Sequence, residues 1–216
     1  MNKPTRAVRS HTRLCAALSA AAVAAGLFAA SPVAAATKDV EATEDKTFSP
    51  RALTSAVAGT VHWFGTPGGA EEHSVHQGRG LFDSGEPQTG LDFTRTFSAG
   101  TFAYYCEKHG TSTSGMRGTV EVSPKVLSAP AGLNFTVRWA TSTTDTGDRF
   151  DVMYRVGSGA WTTWRNNTRA RSLVFGQDGG PVAVALGESY SFKVRSGEGT
   201  GARESGFSPV KSFRAS

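Results

Sequence analysis

Phe97-Ser98-Ala99-Gly100-Thr101-Phe102-Ala103-Tyr104-Tyr105-Cys106-Glu107-Lys108-His109-Gly110, continued by Gly115-Met116-Arg117-Gly118-Thr119-Val120-Glu121-Val122, decides how this chain of 216 residues is read. Side chains alternate between the two faces of a strand, so a period of two marks a half-buried strand. Phe102, Tyr104 and Cys106 share one side of the first segment, and Met116, Gly118, Val120 and Val122 align in the second. Between them, Cys106-Glu107-Lys108-His109 sets a thiol and an imidazole around one tight loop, and Met116 opens the next strand.

The same period extends outward. Val61 and Trp63 face one way in Gly59-Thr60-Val61-His62-Trp63-Phe64, which puts His62 on the opposite, polar face. In Phe93-Thr94-Arg95-Thr96-Phe97 the two Phe residues oppose the two Thr. Trp63, Phe97, Phe102 and Tyr104 read as core. Beyond Ser123-Pro124-Lys125 the alternation restarts in Phe135–Trp139, Phe150–Val156 and Tyr190–Arg195, separated by Gly- and Asp-rich turns. The expected fold class is therefore all-β, with one sandwich over residues 37–123 and a second over 124–216.

A second histidine, His73, lies upstream in Glu71-Glu72-His73-Ser74-Val75. If the strand-end loops meet at one end of the first sandwich, His73, Cys106, His109 and Met116 converge. A thiolate with two neutral imidazoles makes a trigonal set, and a thioether adds a long, weak axial bond; that mixture suits one copper ion passing between Cu(I) and Cu(II). Structural zinc usually draws on paired cysteines, and calcium or magnesium on an acidic oxygen-bearing loop; the sequence has neither pattern.

Gly80-Leu81-Phe82-Asp83-Ser84-Gly85, the quoted Phe97–Gly110 stretch and Gly115–Val120 resemble the plastocyanin/azurin family of cupredoxins, as do Phe48-Ser49-Pro50 and Gly59–Trp63. The resemblance covers about residues 40–122. It implies a Greek-key sandwich with a type I copper centre. His73 would be the upstream imidazole, Cys106 the thiolate, His109 the imidazole nearer the surface and Met116 the axial ligand. Two features depart from the family pattern. Thr111-Ser112-Thr113-Ser114 lengthens the loop before Met116, and Ser74 stands where an Asn often ties the two ligand loops together. His76 has no ligand role in that pattern and is expected to be exposed. Glu71, Glu72, Lys108 and Arg117 make a mixed-charge rim of the kind that is usually ordinary solvated surface.

Residues 130–214 resemble a fibronectin type III module, with Trp139 as its buried Trp, Leu186–Arg195 as its Tyr-containing strand and Gly206-Phe207-Ser208-Pro209 as its closing segment. Trp161, Trp164, Arg165, Arg169 and Arg171 are candidates for a cell-surface, carbohydrate or protein contact, against plain packing of Arg over aromatic faces.

Residues 1–13 carry Lys3, Arg6, Arg9 and Arg13 and no acid, the run Leu14–Ala30 is apolar, and Ser31–Ala36 ends on small residues. That order predicts a secretory signal peptide over 1–36 and an extracytoplasmic protein with no later membrane span. Cys15 would leave with the signal, so Cys106 would be the one thiol of the exported part, free of any internal disulfide. Of 23 basic and 18 acidic residues, four basic ones fall in that segment, so the remainder carries 19 − 18 = +1 and points to no nucleic-acid partner. Three functional classes stay open: a one-electron carrier serving an unknown redox partner protein, a copper-delivery protein, and a surface-interaction protein led by the second sandwich. An enzyme is not expected, because the sequence lacks the His-x-His and His-Cys-His clusters of multicopper catalysts.

Overall fold

The structure is a computed structural model and describes residues 36–128, 134–176, 181–199 and 203–216. The expected signal peptide lies, up to residue 35, outside the described residues. Among the described residues there is no helix, and hence none long and apolar enough to cross a membrane. The first part of the chain forms β1 (Thr37–Ala42), β2 (Phe48–Ser49), β3 (Ala52–Ser55), β4 (Thr60–Gly65), β5 (His76–Gln77), β6 (Asp92–Thr96), β7 (Gly100–Gly110) and β8 (Gly115–Val122). After these come β9 (Lys125–Ser128), β10 (Phe135–Arg138), β11 (Arg149–Val156), β12 (Thr162–Thr168), β13 (Ser172–Phe175), β14 (Ser189–Glu198), β15 (Arg203–Glu204) and β16 (Lys211–Arg214).

Two four-stranded sheets, β2-β1-β4-β6 and β3-β8-β7-β5, enclose the first core. The alternation seen in sequence sets which residues line it. Val61, Trp63, Phe97, Phe102 and Cys106 are fully buried, and Tyr104, Met116, Val120 and Val122 close around them. His62 turns outward as expected, its ring bridging Asp39 and Asp92 at 3.2 and 2.9 Å. Rings of Trp63 and Tyr104 meet edge to face at 5.3 Å, an arrangement that adds to the area they bury. Gly118 on β8 makes room for Tyr104, since a Cβ there would strike the phenol.

The β7–β8 pair runs in regular antiparallel register from Gly100 opposite Val122 to Tyr105 opposite Arg117, and resumes at Gly110 opposite Gly115. Five steps on β7 (105 to 110) face two on β8 (117 to 115), so β7 carries 5 − 2 = 3 extra residues. An enlarged bulge of this kind bends a strand and re-aims its side chains. Its extra residues fall within the stretch that holds Cys106 and His109.

A second core lies between β9-β10-β13 and the sheet of β12, β11, β14 and β15, with β16 also paired to β14. Phe135, Trp139, Phe150, Phe175 and Phe192 fill it. Trp139 Nε1 donates to the Ala170 carbonyl at 2.6 Å, and the Tyr190 hydroxyl accepts from the Ala185 N–H at 2.8 Å. Trp164 belongs to this core, only 5% exposed, which takes it out of any surface contact. Trp161 is half-buried, under Arg155 and Lys193.

The two cores share a polar seam at the start of β7. Ala99 packs into the second core, and its N–H donates to the Trp139 carbonyl at 2.7 Å. Ser98 is fully buried; its Oγ lies 2.9 Å from Thr146 Oγ1 and 2.7 Å from Ser196 Oγ. Ser196 Oγ in turn donates to the Ala99 carbonyl at 2.8 Å. Thr101 and Gly206 exchange two backbone bonds, and Thr96 and Asp145 are joined through N–H groups in both directions. The described residues accordingly form one compact unit.

Candidate metal centre

His73 sits before β5, on a segment pinned by paired backbone bonds with Gln88, each 3.0 Å. Cys106 and His109 come from the bulged end of β7. The three side chains meet: their donor atoms all lie within 4.8 Å of one another. Cys106 Sγ is 4.0 Å from His73 Nδ1 and 3.6 Å from His109 Nδ1, and the two rings are 5.1 Å apart at 62°. First-row metal bonds of roughly 2.0–2.1 Å to nitrogen and about 2.3 Å to sulfur, opened to about 110–120°, hold N and S about 3.6–3.8 Å apart. The observed pair brackets that span, so both imidazoles present Nδ1 to a position beside the thiol. Met116 is 2% exposed and belongs to the same core cluster as Cys106. One soft thiol and two imidazoles, with the Met116 thioether in the same buried cluster, are a donor set that fits a single copper ion.

The surroundings favour ligation over free thiol chemistry. Cys106 is fully buried and unpaired, and His73 is 1% exposed. Burial pushes the His73 pKa down, His109 adds to the effect, and Glu71, Glu44 and the Thr43 backbone pull the other way. The net lowering keeps the imidazole neutral, the form in which it offers a lone pair. His109 is the outward member, its side chain 8% exposed.

Sequence reading underrated three residues here. Ser74, fully buried, reaches across with its Oγ to accept the Glu107 N–H at 3.0 Å and so ties the His73 segment to the Cys106 segment. A hydroxyl suffices because the β5–β7 pairing already brings the two segments together. Glu72 clasps Lys108 at 2.9 Å, raising the Lys108 pKa chiefly through that hydrogen bond. Glu71 touches His109, with Nε2 and Oε2 at 3.2 Å. For Glu71, desolvation pushes the pKa up, but Lys46, His109 and Lys108 outweigh it and hold the group ionised. For Glu71 and Glu72 the only signal was two acids preceding a candidate ligand histidine, a pairing common on ordinary surface; for Ser74 it was the position where an Asn often ties the two loops.

Met116 is buried at the start of β8 despite the lengthened loop. Thr111 N–H donates to the Ser114 carbonyl at 2.8 Å, Thr111 Oγ1 accepts from the Ser114 N–H, and Gly115 takes a positive φ of 75° that returns the chain to β8. The added residues therefore close on themselves outside the core. His76 is half-buried, against expectation: its Nδ1 lies 3.0 Å from Asp83 and 3.5 Å from Glu107, on the outer face of the sheet.

No family model matches the chain, and no curated protein matches it. Among solved structures it is similar to the reduced Cu(I) form of an amicyanin variant, with 24% identity over 40% of this chain and 81% of that one and a TM-score of 0.33. A Cu(I) form of another amicyanin variant gives 29% identity over 44% and 90% of the two chains, with a TM-score of 0.32. A pseudoazurin from Sinorhizobium meliltoi gives 21% identity over 45% and 78%, with a TM-score of 0.28.

Proposed function

We propose that the chain is an exported one-electron carrier whose first sandwich, residues 37–123, is a Greek-key cupredoxin. In this reading a type I copper ion is held by His73, Cys106, His109 and Met116, and residues 124–216 form a fibronectin type III-like sandwich. The observation that carries the reading is the convergence of two Nδ1 atoms on one buried thiol, with spacings of 3.6 and 4.0 Å. Copper in such a set supplies a one-electron couple between Cu(I) and Cu(II). The protein's part is to hold the donors still, so that neither oxidation state demands rearrangement. The Ser74–Glu107 tether, the paired His73–Gln88 backbone bonds and the closed 111–114 turn all do this.

Burial favours transfer over delivery of the metal. Cys106, His73 and Met116 are at most 2% exposed, so releasing an ion would require the loops to open, whereas an electron needs only the ring of His109 near the surface. Export rests on the basic, apolar, small-residue order of residues 1–36. The test is to add Cu(II) to the purified exported form and record the visible spectrum. An intense blue thiolate-to-copper band, absent in Cys106→Ser, supports the reading, as does reversible voltammetry with no loss of Cu(I) to a chelator. A colourless complex, or a band that survives Cys106→Ser, refutes it.

A further inference from the structure

We infer that Glu71 is the positioning residue of this centre: its carboxylate accepts the His109 Nε2 hydrogen, aims Nδ1 at the metal position and covers the ring's outer edge. The inference rests on the copper reading for its electronic consequence, but the contact itself lies in the protein. His109 has two ring nitrogens with separate tasks. Nδ1 faces Cys106 Sγ at 3.6 Å, and Nε2 faces Glu71 Oε2 at 3.2 Å. A ring whose outer nitrogen donates to a carboxylate must carry its hydrogen there, which leaves the inner nitrogen's lone pair for a metal.

Glu71 is itself held from several sides. Its other oxygen, Oε1, lies 3.5 Å from Lys46 Nζ. Its backbone N–H and that of Ala70 both donate to the Glu44 carboxylate at 3.3 Å. The next residue, Glu72, grips Lys108 beside His109. The 70–72 segment is thus fastened at one end to the β1–β2 connection and at the other to the Cys106–His109 loop. No carboxylate lies within ion-pair distance of the His73 ring among the described residues, whereas Glu71 does for His109, so the two imidazoles are not equivalent. An anionic acceptor on one ligand makes that ligand more basic and favours the more positive metal state, Cu(II) over Cu(I). It also accounts for a surface-side ring that is only 8% exposed.

The test uses the full exported chain as wild type, Glu71→Gln, Glu71→Ala and, as a neighbour control, Glu72→Gln. In metal-free protein, the His109 Nε2 hydrogen gives a slowly exchanging resonance in wild type and Glu72→Gln, and exchanges too fast to observe in Glu71→Ala. In the copper-loaded chain, Glu71→Ala binds Cu(II) about 10–100-fold more weakly. Glu71→Gln keeps the acceptor but not the charge, so it holds affinity within a few-fold while its reduction potential rises. Glu72→Gln changes neither. Unaltered exchange, affinity and potential in Glu71→Ala would overturn the assignment. A wild-type chain that fails to form the blue complex would instead overturn the copper reading, and the metal-free resonance would still decide the role of Glu71.

Discussion

Replacing Tyr104 by Phe should stabilise the protein at neutral pH and stabilise it more in alkali. The Tyr104 ring is 1% exposed and packs between Trp63 and Phe48. Its hydroxyl has no hydrogen-bond partner of good distance and angle among the described residues. A buried hydroxyl left unpaired costs about 1–3 kcal/mol, so Phe, which keeps the ring and removes the hydroxyl, should add about 1 kcal/mol at pH 7. Burial also pushes the phenol pKa up to about 12 from 10.0, with the Trp63 indole offsetting only part of that rise. A raised acid pKa means that the unfolded chain gives up this proton first. Between pH 10 and 12 the unfolded state binds fewer protons, and stability falls as pH rises. At 1.36 kcal/mol per unit, Tyr104 costs the wild type about 1.4 kcal/mol by pH 11 and about 2.7 kcal/mol once both states have ionised. Urea unfolding of wild type and Tyr104→Phe at pH 7, 9, 10 and 11 measures this directly. The gap between them should be about 1 kcal/mol at pH 7 and more than double at pH 11. A Phe variant less stable at pH 7, or a gap that stays flat with pH, would refute both the unpaired hydroxyl and the buried phenol.

Two further outcomes follow from contacts described above. Ser74→Ala leaves the Glu107 N–H without its acceptor, which should lower unfolding free energy by about 1–2 kcal/mol. On the proposed type I copper reading, it should also broaden or shift the blue band, because the His73 and Cys106 segments lose their tie; an unchanged spectrum together with unchanged stability would contradict the tether. The Ser98 seam predicts that residues 37–216 unfold in one cooperative transition, and that Ser98→Ala loses about 1–3 kcal/mol by stranding Thr146 and Ser196 partners. Calorimetry showing two well-separated transitions in the wild type would mean that the two cores are independent.

What sequence disclosed and what it withheld divide along physical lines. The core strands β4, β7, β8, β11 and β14 were legible because one face of each is buried, which forces alternation into the residue order. β12 was not: only Trp164 in Thr162–Thr168 is buried, so no period of two is written there. The two-residue β5 and β15 are too short to carry a period at all. At the centre, residue types and loop positions named His73, Cys106 and His109, because a thiol and two imidazoles on strand-end loops are uncommon elsewhere. Glu71 and Ser74 were noted, but their roles were not legible because they depend on contacts across 38 and 33 positions, respectively. The serine seam escaped for the same reason; Ser98 reads as an unremarkable small residue until Thr146 and Ser196 arrive beside it.

Strand β7 has one end in each half of the chain's business. Its first residues are locked into the seam through Thr101, and its last form the bulge with Cys106 and His109. From Thr101 to Cys106 is five steps of strand, about 17 Å at 3.4 Å each. A strand of that length, paired along its course with β8, acts as a strut, and no flexible linker interrupts it. The seam with the second core and the His109 edge therefore hold a fixed bearing to each other, carried through one paired strand.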